Sequence, residues 1–291
     1  MSAVARALLD RPIGMFDSGF DGLTVARAVI DLLPAEDLVY IGDTERCPYG
    51  PRPLAEVAGF ARQIAWTLVK EFDVKVVVVA CNTATAALPI DELAAELPVP
   101  VVGVIGPGSE SLVRTTESRR VGVIGTVGTI GSGAYQSAVV DAVDATGVDP
   151  VLLTCAACPG FVEFVERGIS VGDEITVLAE CLLAPVVEAE VDALLLGCTH
   201  YPLLARVIGD VMGRGVTLVS SGDETAFALA DLLTRLDLRR PGGEGPVRHR
   251  FLSSGDVAHF VALGRQLLGP ELASAEPISF DDHDPSSRTP T

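Results

Sequence analysis

A chain of 291 residues with 48% hydrophobic and 21% charged residues can bury a full core, which excludes wholesale disorder. Its formal net charge of −18 argues against a sequence-independent nucleic-acid surface, which needs clustered Lys and Arg. No stretch approaches the roughly 18–20 uninterrupted apolar residues of a membrane span. The apolar run around Arg6 and Asp10 is too short for a signal peptide. A soluble cytoplasmic protein is therefore expected, and six cysteines without framework spacing read as reduced thiols.

The first buried-strand pattern, Ile13–Phe16, runs into the loop Asp17–Gly22 (DSGFDG) and a helical spacing over Leu23–Leu33. The loop is not GxGxxG and lacks the Lys of a phosphate loop. Asp17 there suits an ammonium group or a proton-handling role, and a helix-capping turn is its structural alternative. Leu38–Ile41 reads as a strand and Leu54–Phe72 as a helix. The strand Val76–Ala80 then ends in Cys81, followed by Asn82, Thr83 and Thr85. Amide and hydroxyl groups in that place can bind a carboxylate without a competing cation, although a strand-end Cys also serves as a small hydrophobe.

Ile90–Leu97 has helical spacing and Val99–Ile105 strand spacing, after which Gly and Pro in Ile105–Ser111 (IGPGSES) suggest a domain boundary. Val121–Ile124 is the next strand; Thr126 and Thr129 behind it can hydrogen-bond a small anion at a helix start. Gln136–Val143 reads as a helix and Val151–Leu153 as a strand. The lone CxxC of Cys155 and Cys158 is a weak metal signal and reads as packing. On the helix Phe161–Glu166, Glu163 is spaced to pair with Arg167, while Glu166 is ambiguous. After the helix Ile175–Glu190, the strand Leu194–Leu196 leads to Cys198, Thr199 and His200. A His two residues from a thiol can stabilise a thiolate, relay a proton or close a loop. Metal binding would need two further ligands, and none stands nearby. Leu203–Met212 and Val216–Val219 complete the pattern before a second break near Ser220–Asp223.

This alternation implies an α/β protein with parallel sheets, helices on both faces and ligands beyond the strands' carboxyl ends. Residues 11–104 with 221–270 are expected to form one domain and 105–220 a second. Residues 271–291 are expected to form a tail whose end, from Asp281, is disordered. Cys81 and Cys198 share a strand-end position where helix N–H groups would lower a thiol pKa from about 8.5. Two such thiols suggest acid–base chemistry on both faces of a small substrate, with the other four cysteines left to packing. The only lysines, Lys70 and Lys75, precede the Val76 strand at the edge opposite Cys81. Neither suits a Schiff base, so pyridoxal phosphate is not expected.

Six segments in order, FDSGFDGLTV (16–25), GDTERCPYG (42–50), ACNTAT (80–85), VGVIGTVGTI (121–130), ACPGFVEFVERG (157–168) and LGCTHYPLL (196–204), resemble the cofactor-independent glutamate racemases. The resemblance implies two flavodoxin-like three-layer domains with glutamate in the cleft between them. Cys81 would take the proton from D-glutamate and Cys198 from L-glutamate, with Asp17, Glu166 and His200 supporting the acid–base work. Asp17, Ser18, Tyr49, Gly50, Asn82, Thr83, Thr199 and His200 match the family's substrate-contact motifs, and Thr126 and Thr129 join them as anion-binding candidates. No cofactor and no metal are expected, the assembly would be a homodimer, and the D-glutamate made would serve peptidoglycan synthesis. Some members are reported to inhibit DNA gyrase, a property on which no residue here bears. The chain departs from the family pattern at Phe20-Asp21-Gly22, Glu45, Cys47 and Glu163. The competing readings are a related racemase or isomerase acting on aspartate, a hydantoin or another dicarboxylate, and a non-catalytic ligand-binding or regulatory module.

Overall fold

Short β-branched runs bounded by turn residues become the strands of two parallel sheets. The computed structural model describes residues 3–242 and 245–280. Four strands come first in the chain: β1 (Ile13–Asp17), β2 (Leu38–Gly42), β3 (Val76–Val79) and β4 (Val101–Gly103). The next four are β5 (Arg120–Gly125), β6 (Leu152–Ala157), β7 (Ala193–Gly197) and β8 (Thr217–Ser220). The chain then returns through β9 (His249–Ser253) and β10 (Glu276–Pro277). The first sheet is ordered β10-β9-β2-β1-β3-β4 and the second β6-β5-β7-β8, with every pairing parallel. β1, β2, β3 and β7 are buried along their whole length, which explains why they read as continuous apolar runs and not as alternating ones. One apolar cluster, from Ile13 and Tyr40 to Leu194 and Tyr201, includes side chains from both sheets.

Two expectations are corrected. The segment Ile105–Ser111 is no break but the start of a helix, Ile105–Thr115. Pro107 lies in its first turn, where a missing N–H breaks no helical bond, and the helix packs on Ala134–Thr146 and Ser221–Arg235. The tail begins later than residue 271: Leu272 is fully buried, β10 extends the first sheet, and Ile278 and Phe280 pack against its core. The expected disorder from Asp281 lies outside the described residues.

Lys75 is a buried structural residue. Its Nζ donates to Glu36 Oε2 at 2.5 Å, to Leu9 O at 2.8 Å and to Leu238 O at 2.9 Å, tying three distant segments together. No helix among the described residues is long and apolar enough to cross a membrane.

Candidate active site

Strand register brings the site together. β1 pairs with β3 so that Phe16 lies opposite Val79, and Ala80 N donates to Phe16 O at 2.9 Å. Ser18 and Cys81 therefore leave the sheet side by side. In the second sheet Gly125 pairs with Gly197, so Thr126 and Cys198 also emerge as neighbours. The two strand ends meet at one small cavity lined by Ser18, Pro48, Tyr49, Gly50, Cys81, Asn82, Thr83, Thr126, Val162, Cys198, Thr199 and His200. Pro48 and Val162 are apolar walls that a search for polar groups overlooks.

Cys81 caps the helix Asn82–Ala87; its Sγ accepts from Ala84 N at 3.4 Å and stands 3.6 Å from Ser18 Oγ. The helix contact is as expected, but its consequence is not. Burial pushes the Cys81 thiol up to about 12, with Asp17 adding to the shift and the bonds from Ala84 and Ser18 opposing it. Desolvation and one nearby carboxylate outweigh a single helix N–H. Cys198 has a different neighbour: His200 Nδ1 lies 3.6 Å from its Sγ.

Asp17 is fully buried, with Oδ2 accepting from Gly22 N at 2.8 Å, so part of the capping role is present. A Cβ at Gly22 would fall 2.5 Å from Asp17 Cβ, which is why this turn needs glycine. Asp17 Oδ1 and Asn82 Oδ1 are buried without a hydrogen-bond partner. Asn82 Nδ2 donates to Tyr135 Oη at 2.7 Å. The hydroxyls of Thr83, Thr126 and Thr129 form a triangle with edges of 3.1, 3.1 and 2.9 Å, Thr129 standing behind the two that line the cavity. Tyr49 contributes a wall, because its hydroxyl donates to Asp43.

His200 is the junction of the polar network. Its Nε2 is 2.7 Å from Asp21 Oδ2 and 3.6 Å from Glu166 Oε1. Burial opposes a charge on His200, but Asp21 and Cys198 more than offset it and hold its pKa well above 6.5. Burial likewise raises Asp21, partly countered by His200, so the pair keeps hold of its proton. Glu166 is lowered chiefly by the nearby His200 ring. Cys47 donates to Glu166 Oε1 at 3.0 Å, and burial reinforced by Glu166 raises the thiol, which stays a neutral donor. Cys47 is thus part of the site's margin and not mere packing. Cys181 is exposed, and Arg167 stacks on Phe164 with no ion pair to Glu163 among the described residues. Asp21, Cys47 and Tyr135 are the polar members to which sequence reasoning gave no role; for Asp21 and Cys47 the available signal was their departure from the racemase pattern.

Because the folded protein raises the His200 pKa, the bound proton stabilises the fold. That contribution is fully present below about pH 6.5 and is lost as pH rises through the folded value. The stability difference between the wild type and His200→Gln, from urea unfolding, is expected to shrink steadily above pH 6.5. A pH-independent difference would contradict a proton held at His200.

Residues 23–229 match the family described as Asp/Glu/Hydantoin racemase. A protein of Parafrankia sp. named glutamate racemase is 52% identical over 263 residues, covering 90% of this chain and 92% of the relative. The crystal structure of a glutamate racemase isoform from Bacillus anthracis superposes with a TM-score of 0.84 at 38% identity, covering 94% of this chain and 98% of the other. A glutamate racemase from Francisella tularensis in complex with D-glutamate gives a TM-score of 0.85 at 31% identity, covering 94% and 100%. With strand ends, cavity and relatives in agreement, the chain belongs to the Asp/Glu/hydantoin racemase family.

Proposed function

We propose that this protein interconverts L- and D-glutamate by a two-base mechanism with Cys81 and Cys198 as the acid–base pair. The observation that carries the reading is that these two thiols, rooted in different sheets, line one cavity together with amide and hydroxyl groups. The partnerless Asn82 Oδ1 on the cavity wall suits an α-ammonium group, and the buried Asp17 carboxylate, outside the lining, adds negative potential to it. The hydroxyls of Thr83 and Thr126, backed by Thr129 and joined by Thr199 and backbone N–H groups near Gly50, suit the carboxylates. No Lys or Arg lines the cavity, so neutral donors must carry most of the anion binding.

Removing an α-proton builds negative charge on the carboxylate-bearing carbon. Donors already oriented in a dry cleft stabilise that charge without reorganising. One thiolate takes the proton while the opposite thiol delivers another, so each turnover inverts the centre and exchanges the two roles. In this reading Cys198 deprotonates L-glutamate and Cys81 deprotonates D-glutamate, within a cytoplasmic enzyme that supplies D-glutamate for peptidoglycan. The kinship with relatives named glutamate racemase supports the substrate.

The test is incubation with each enantiomer of glutamate and of aspartate in D2O, without added metal or pyridoxal phosphate. Loss of optical activity with deuterium entering the α-carbon of glutamate is the expected result. Turnover of aspartate alone would reassign the substrate, and turnover of neither would sink the catalytic reading.

A further inference from the structure

Asp21 stands where the sequence departs from the racemase pattern, and its side chain is fully buried against His200. The imidazole lies between two groups: Nε2 is 2.7 Å from Asp21 Oδ2, an ion-pair contact not aligned as a hydrogen bond, and Nδ1 is 3.6 Å from Cys198 Sγ. We propose that Asp21 is a positioning residue that keeps His200 protonated with its Nδ1–H turned to Cys198, leaving Cys198 the resting thiolate. The proposal rests on the racemase reading, to which it adds how two like thiols are held in opposite states. One proton changes place: the Sγ–H bond of Cys198 breaks, its electron pair stays on sulfur, and an N–H bond forms at Nδ1.

The groups facing His200 favour this arrangement. Asp21 and Glu166 approach Nε2, Cys198 approaches Nδ1, and the Phe20 ring meets the imidazole edge-on at 6.1 Å. Asp17 acts on Asp21 from beyond, while Cys47 and His259 act on Glu166. Between the two carboxylates at Nε2, Asp21 dominates. It is nearer, 2.7 against 3.6 Å, and 0% exposed against 33%, so solvent screens Glu166 more. Cys81 has the opposite setting, with Asp17 disfavouring its thiolate. The cation on one side and the carboxylate on the other separate the two cysteines before any substrate arrives.

The test is the alkylation rate of each cysteine by iodoacetamide, resolved by peptide mass spectrometry, in the wild type and in Asp21→Asn. The asparagine keeps the shape of the loop and the backbone carbonyl that accepts from Thr24 Oγ1 at 2.8 Å. Cys198 is expected to react about tenfold more slowly in the variant at pH 7, and its rate to climb with pH where the wild type is nearly flat. Cys81 is expected to react as before. His200→Gln should slow Cys198 similarly, and the double variant should slow it no further, since both changes remove one device. Equal Cys198 rates in the wild type and Asp21→Asn would overturn the proposal even if racemisation fell, because that is what a purely structural Asp21 gives. Slowed alkylation in a protein that turns over no glutamate would uphold the thiol assignment and overturn the racemase reading instead. Should Asp21→Asn fail to fold, nitrogen NMR of the wild-type histidines decides: His200 protonated at both ring nitrogens at pH 7 supports the proposal, and a neutral His200 overturns it.

Discussion

Cys81→Ala is expected to lower glutamate racemisation by about 10²–10⁴-fold, the usual contribution of a positioned acid or base, and Cys198→Ala to do the same. L- and D-glutamate have equal free energies, so kcat/KM must fall by the same factor in both directions whichever thiol is removed. The two variants separate only when proton exchange is followed without inversion. With Cys198 intact and Cys81 gone, L-glutamate in D2O is expected to acquire α-deuterium faster than it racemises, since the remaining thiol can return deuterium to the face it deprotonates. Cys81 alone should show the mirror preference for D-glutamate. Removing both thiols should cost little more than removing one, because they act as a unit. Either single variant retaining full activity would end the two-base account. The cavity offers no obvious replacement base: His200 is flanked by carboxylates that favour its protonated form, and the threonine hydroxyls are too weakly acidic for the exchange.

Lys75→Met should cause the largest loss of stability, about 3–5 kcal/mol, the usual cost of leaving one member of a buried ion pair alone. Lys75 and Glu36 side chains are 1% and 2% exposed, so water cannot replace the lost partner. The substitution strands Glu36 Oε2 and the carbonyls of Leu9 and Leu238 together. Urea unfolding measures the loss directly. The double change Lys75→Met with Glu36→Leu should recover part of it, because no unpaired carboxylate then stays buried. A loss below about 1 kcal/mol would mean that water reaches the pair. The lysine that was no candidate for a Schiff base thus holds an end of the sheet remote from the chemistry.

The strands and the two cavity cysteines were legible for the same reason. Both-face burial selects unbroken runs such as Val76–Val79, and the residues that end such runs stand out. What escaped notice depends on contacts distant in sequence. β9 reads His-Arg-Phe-Leu-Ser and gains strand character by pairing with β2, over 200 residues earlier. The helix Ile105–Thr115 looked broken because glycine and proline have poor intrinsic propensity, and packing on two other helices overrides it. At the site, register predicted which residues emerge together but not what a buried charge does to them. The helix terminus at Cys81 suggested an acidified thiol, and the cavity's desolvation with Asp17 produced the reverse. Asp21 and Cys47 stood out in the sequence only as departures from the racemase pattern; their meaning comes from His200 and Glu166 brought to them by folding.

The threonine triangle also has a kinetic consequence. Thr83 follows a strand of the first sheet, whereas Thr126 and Thr129 follow a strand of the second, so their bonds stitch the two sheets together beside the cavity. Asn82 to Tyr135, and Gly128 N to Gly50 O at 3.1 Å, fasten the same seam. At about 0.5–1.5 kcal/mol per bond, a form with this seam parted is a minor member of the ensemble. Any turnover that parts the two sheets here must break these bonds and remake them, a cost that faster proton transfer does not lower.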